Sequence, residues 1–195
     1  GAPTIAAVLD LVGPIRTLDF GDTLRAGTSA ILAALDAVAG GAKAVLVAAG
    51  DSRLGEPDSP AEQSYGDAGA ALLVGGGPGA AEVVATHSVA DELVGTWRTQ
   101  EQEFPRAFPG AFEAKYGYAR VLGEVIKGVL GKAKVAPAQL ASVILPASSP
   151  RAPLGIAKAL GLDPKRQLQD SFWTTLGDTG AAQPLLMLAA ALERA

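Results

Sequence analysis

Four aspartates stand where this chain passes from one element to the next: Asp22, Asp51, Asp67 and Asp178. Asp22 and Asp178 belong to a repeated step, Gly21-Asp22-Thr23 and Gly177-Asp178-Thr179, each ahead of a run with helical periodicity. An aspartate there caps a helix through its side-chain oxygen, or serves as an acid or base. The tyrosines are Tyr65, Tyr116 and Tyr118. A phenol moves protons when its surroundings shift its pKa, and otherwise packs. The single histidine, His87, shares one face with Ala85 and Val89 on a two-residue period. No Gly-x-Ser-x-Gly elbow accompanies it to suggest a hydrolase.

Composition removes much other chemistry. The 195 residues include no cysteine, which excludes disulfides, thiolate zinc sites, iron–sulfur clusters and a cysteine nucleophile. One histidine makes a histidine-based metal site improbable, so no metal is expected. A formal net charge of −4 leaves no basic footprint for nucleic acid. No GxxxxGK[ST] phosphate loop is present, and the glycine run at 75–79 lies between two strand-like runs, where it reads as a turn. The apolar stretches 44–49 and 184–192 fall far short of the roughly 20 residues a spanning helix needs. Residues 1–10 lack the charged and apolar regions of a secretory signal, so a cytoplasmic location away from membranes is expected.

The elements that must position these residues follow from periodicity. Helices are expected at 3–11, 24–38, 111–130, 152–160 and 176–194, and strands at 15–20, 44–49, 68–74, 81–89 and 142–145. Residues 51–66 read as a loop. The strands at 68–74 and 81–89 read as a hairpin or a tight crossing around the glycine run. Residues 91–110, with Trp97, Phe104 and Phe108 punctuated by prolines, read as an ordered excursion. The class is α/β and layered. The two Gly-Asp-Thr steps continue into matching helices, with Ala26 beside Ala182 and Leu32 beside Leu188. That echo is either a coincidence of two Ala/Leu-rich helices or a duplicated fold. In the second case the helices lie side by side, their N-termini converging where an oxyanion or thioester carbonyl could sit.

Three segments carry a resemblance: Asp22-Thr-Leu-Arg-Ala-Gly-Thr-Ser-Ala-Ile31, Val45-Leu-Val-Ala-Ala-Gly-Asp51 and Tyr65-Gly-Asp-Ala-Gly-Ala-Ala-Leu-Leu73. Later runs agree, namely Tyr116-Gly-Tyr-Ala-Arg120, Ile156-Ala-Lys-Ala-Leu-Gly161 and Leu176-Gly-Asp-Thr-Gly-Ala-Ala182. In this order they resemble the thiolase superfamily, above all the 3-hydroxy-3-methylglutaryl-CoA synthases, with ketoacyl synthase III next. The resemblance implies a duplicated αβαβα layered fold, incomplete at both ends here. The end of the N-terminal half would cover about 1–90 and most of the C-terminal half about 91–195.

The resemblance also exposes three departures. The family's nucleophilic cysteine falls on Leu24, its histidine on Pro146, and its asparagine (or histidine) on Asp178. Leucine and proline neither attack a thioester nor move a proton, so family-type acyl transfer is not expected. What the family implies instead is an acyl-CoA protein, in lipid metabolism, with a coenzyme A thioester as substrate or ligand and no covalently bound cofactor. One form is an aldolase-like enzyme breaking a carbon–carbon bond by retro-aldol cleavage beside a small OB-fold partner. Tyr65, Tyr118, His87 and Asp178 are then the candidate catalytic residues. The other form is a non-catalytic subunit that stabilises a partner protein. A homodimer or hetero-assembly is expected in either case.

Overall fold

The computed structural model describes residues 1–147 and 149–194. Helix α1 (Ala2–Val8) opens the chain and α2 (Ala26–Ala39) follows. Strands β1 (Ala44–Asp51) and β2 (Ala68–Gly75) flank the short helix α3 (Pro60–Ser64). β1 and β2 form one antiparallel pair, running from Ala44 opposite Gly75 to Asp51 opposite Ala68. A small ribbon, β3 (Thr96–Trp97) with β4 (Arg106–Ala107), occupies the excursion. Helix α4 (Gly110–Phe112) passes through a π-helical turn (Glu113–Tyr118) into α5 (Ala119–Ala133). Helices α6 (Ala152–Leu160) and α7 (Pro164–Gln167) follow, and a 3-10 turn (Gly180–Ala182) leads into α8 (Gln183–Leu192).

The core forms where α2 and α8 cover one face of the β1–β2 sheet. A strand's side chains alternate between faces, so Val45, Val47 and Ala49 share that face with Ala70, Leu72 and Val74, packed around buried Ala34, Val47 and Leu185. The small residues of α2 let α8 approach closely. A Cβ on Gly27 would fall 2.7 Å from the Ala181 carbonyl oxygen and 2.8 Å from Leu185 Cδ1. The two helices whose sequences echo each other are therefore neighbours. On the opposite sheet face Leu46 and Leu73 stand opposite each other, 40% and 72% exposed.

Several sequence expectations are corrected. Residues 15–20 form no ladder, because nothing among the described residues pairs with them. Residues 81–89 likewise form no strand. β2 takes β1 as its partner across the intervening loop, so the expected hairpin is absent, although Ala85, His87 and Val89 still share the less exposed side. Residues 142–145 reduce to one parallel bridge, Val143 to Leu168. The last helix starts at Gln183, because Gly177 and Gly180 hold φ of +80° and +54°. Asp22 caps nothing: α2 begins after Arg25, with no side-chain cap.

Candidate functional site

Asp178 lies in the turn before α8 and is 5% exposed. A buried carboxylate requires a partner, and the loop after β1 supplies one in Arg53. Arg53 Nη2 lies 2.6 Å from Asp178 Oδ1 and donates to the Asp178 carbonyl oxygen at 2.9 Å. Gly180 N donates to the same carboxyl oxygen at 3.0 Å. Asp51, the last residue of β1, accepts from Ala181 N at 2.8 Å, and its Oδ2 stands 3.8 Å from Arg53 Nε. That second approach is a charge contact, too long for a hydrogen bond.

Tyr65 reaches the same place through the backbone. Asp178 N donates to the Ser64 carbonyl at 2.6 Å and Gly66 N to the Asp178 carbonyl at 3.1 Å, which lays Tyr65 and Asp178 side by side as a parallel bridge. The Arg53 guanidinium sits 4.1 Å from the centre of the Tyr65 ring, a cation–π contact. Burial pushes the Tyr65 phenol up; Arg53 pulls it back, and Asp178, Glu113 and Asp51 push with burial. Tyr65 therefore holds its proton at neutral pH. Glu113, at the start of the π-helical turn, is raised by burial first and by the Asp178 charge second.

Tyr118 closes the same π-helical turn. Its hydroxyl stands 3.5 Å from the Leu145 carbonyl, immediately before Pro146, and Ala147 N donates to Gln183 Oε1 at 3.2 Å. The Pro146 segment is thereby tied to the first residue of α8. Burial pushes the Tyr118 phenol well above its ordinary 10.0. An unfolded chain releases that proton near pH 10 while the native one keeps it, so native stability falls as pH rises beyond about 10. Tyr118→Phe should cost less than about 1 kcal/mol at neutral pH, since the bond it deletes is long. The variant should also lose less stability than the parent above about pH 10. Urea titrations across that range check both expectations.

His87 lies elsewhere. A Cβ on Gly128 would fall 2.1 Å from its ring, so the imidazole packs on α5. Gly128 is ten residues along from Tyr118, about 15 Å of helix. Leu24 is 40% exposed in the turn before α2, whose first helical turn abuts residues 181–185. Among the described residues no group of histidines and carboxylates is placed to hold a metal ion, and no helix is long and apolar enough to cross a membrane.

Comparison with known proteins places the fold. No family model matches the chain. It is 26% identical over 195 residues to hydroxymethylglutaryl-CoA synthase of Methanopyrus kandleri, covering 100% of this chain and 55% of that protein. The chain thus spans about half the length of the curated relatives it matches. A crystal structure of 3-oxoacyl-(acyl carrier protein) synthase III from Pseudomonas aeruginosa PAO1 superposes with a TM-score of 0.84 at 19% identity, over 99% of this chain and 62% of that one. A hydroxymethylglutaryl-CoA synthase complexed with CoA superposes at 0.76 and 18% identity, over 98% of this chain and 52% of that one.

The fold is thiolase-like, and the chain is similar in sequence to hydroxymethylglutaryl-CoA synthases.

Leu24, where the sequence resemblance sets the family's cysteine, lies in the turn just before α2, and the sequence contains no cysteine. Sequence reasoning missed Arg53 and Glu113 as members of the site. Arg53 had a signal: an aspartate buried where the family resemblance expects a neutral residue needs a cation. Its partner in space, however, is 125 residues away. Glu113 had none, because the π-helical turn that carries it has no distinct hydrophobic period.

Proposed function

We propose that this chain binds a coenzyme A thioester and acts on it without forming an acyl-cysteine. The observation that carries this reading is the assembly of Tyr65, Arg53 and Asp178 at the entrance to α8, beside the first turn of α2, in a chain with no cysteine. Asp178 is occupied by Arg53 and serves as a charge anchor. The free carboxyl is Glu113, which has no ion-pair partner among the described residues and a raised pKa that suits a general base.

The reaction these groups suit is retro-aldol cleavage. Glu113 takes the proton of a β-hydroxyl, the Cα–Cβ bond breaks, and Cβ becomes a carbonyl. The bonding pair passes to the thioester as an enolate, which Tyr65 stabilises by hydrogen bonding and then protonates at Cα. Tyr118 borders the site from the Pro146 side, and His87 stands outside the set. A small OB-fold partner, assembly into a dimer and the division into two halves near residue 90 belong to the same reading. A non-catalytic subunit is the second reading. It is favoured by the Arg53–Asp178 pair, which ties up one candidate while Leu24 and Pro146 remove two others.

Titration calorimetry of the full-length protein with free coenzyme A and with a 3-hydroxyacyl-CoA tests the binding. Ketone or aldehyde release then tests the chemistry. Cleavage is expected to fall about a hundredfold or more in Tyr65→Phe and Glu113→Gln. Binding without any cleavage would select the non-catalytic reading, and absence of binding would remove the enzymatic one.

A further inference from the structure

Four aromatic rings stand in series on the segment between β3 and the π-helical turn. Trp97 and Phe108 have ring centres 5.0 Å apart, Phe108 and Phe112 5.4 Å, and Phe112 and Tyr116 4.9 Å. The first three of them, with Leu93, Val94 and Glu92, wall an open cavity of about 370 Å³. These rings take no part in the core over β1 and β2. Phe108 and Phe112 remain 45% and 43% exposed. Contiguous exposed apolar surface of this kind marks a place where something binds.

The cavity is built onto the candidate site. Phe112 in its wall directly precedes Glu113, whose carboxyl would lie 3.4 Å from a Cβ on Gly95. Leu93 in the same wall packs on Gly117 of the π-helical turn, where a Cβ would fall 2.0 Å from Leu93 Cδ2. Phe112 and Leu93 therefore join the cavity wall to the turn that carries Glu113, which is within electrostatic range of Tyr65 and Asp178.

Charge narrows the occupant. Glu92 is the one charged residue in the lining. No cation lines it: Arg106 pairs with Glu56 at 3.0 Å, Arg120 with Asp91 at 2.6 Å, Arg98 donates to the Glu103 carbonyl at 3.4 Å, and Lys115 stands over the Tyr116 ring at 4.9 Å, outside the lining. Nothing in the lining would pair with an acyl group that ends in a carboxylate, and Glu92 would repel it.

We propose that this aromatic cavity receives the neutral, apolar acyl group of the thioester and discriminates against carboxylated acyl groups. The proposal rests on the coenzyme A reading above and names the substrate class for that site. Chain length and terminal charge are then the two properties the protein reads.

Calorimetry on the full-length protein separates the two ideas. Across free coenzyme A, acetyl-, butyryl- and hexanoyl-CoA, affinity should rise about two- to fourfold per added methylene, the value for partly to fully buried CH₂ groups. Pentanoyl-CoA should bind at least about tenfold more tightly than glutaryl-CoA, which differs by its terminal carboxylate. Phe108→Ala, at an exposed position that a fold tolerates, should flatten the length series and leave free coenzyme A unchanged. Glu92→Lys should close the gap between pentanoyl- and glutaryl-CoA. Coenzyme A binding with a flat length series, or with glutaryl-CoA preferred by the parent protein, would overturn this proposal alone. Failure to bind coenzyme A in any form overturns the reading beneath it.

Discussion

Arg53→Met is expected to destabilise the fold by about 3–5 kcal/mol, because it leaves the Asp178 carboxylate buried without its cation. Both side chains are nearly closed off, at 11% and 7% exposure, so solvent cannot replace the lost partner. The same change removes the guanidinium from the Tyr65 ring and the charge opposite Asp51. A double change, Arg53→Met with Asp178→Leu, should recover most of the loss, since a buried pair replaced by apolar groups of similar volume is often neutral. Urea denaturation of the parent, both single variants and the double variant completes the cycle. A single-variant loss below about 1 kcal/mol would place the pair among solvated surface bridges and withdraw it as the organiser of the site.

Gly66→Ala should be the most damaging single methyl group in the molecule. Its Cβ would lie 1.5 Å from the Leu176 carbonyl oxygen and 2.8 Å from the carbon behind it, both backbone atoms with no side-chain freedom to yield. The two segments would have to part. Parting them breaks the Gly66–Asp178 and Asp178–Ser64 hydrogen bonds that hold Tyr65 beside Asp178. A loss above about 4 kcal/mol, or failure to fold, is expected, in the range reserved for such identifiable mechanisms. Gly69→Ala is the matched control: its Cβ would meet Ala49 O at 3.7 Å, an ordinary contact, and should change stability by less than about 1 kcal/mol. Thermal unfolding of the pair decides the matter. Equal midpoints would mean that the 64–66 and 176–178 segments are not held together in solution.

Much of the helical structure was legible because it depends on local periodicity. The helix expected at 152–160 forms at Ala152–Leu160, and the one expected at 24–38 forms at Ala26–Ala39. Strands were legible only where a partner exists. Residues 44–49 and 68–74 pair with each other, whereas 15–20 and 81–89, equally strand-like in composition, find none among the described residues. A strand is a property of two segments, and a single apolar run carries half of that information. The π-helical turn at Glu113–Tyr118 escaped for another reason: its residues keep a helical look while the hydrogen-bond register slips. The echo between the two Gly-Asp-Thr steps was half informative. It foresaw neighbouring helices, but Asp22 is exposed in a left-handed turn with φ of 58° while its counterpart Asp178 is buried and paired.

What the sequence determined alone is the chemistry this chain lacks. Zero cysteines exclude an acyl-cysteine on these 195 residues whatever the fold, because no arrangement in space supplies a missing functional group. What only the tertiary structure decided is what the remaining groups face. Asp178 reads from sequence as a cap or a base, and in the fold it is buried against Arg53, which is 125 residues distant and 2.6 Å away. A carboxylate's chemistry is set by its burial and by the charge it faces, and neither is a property of its own stretch of sequence.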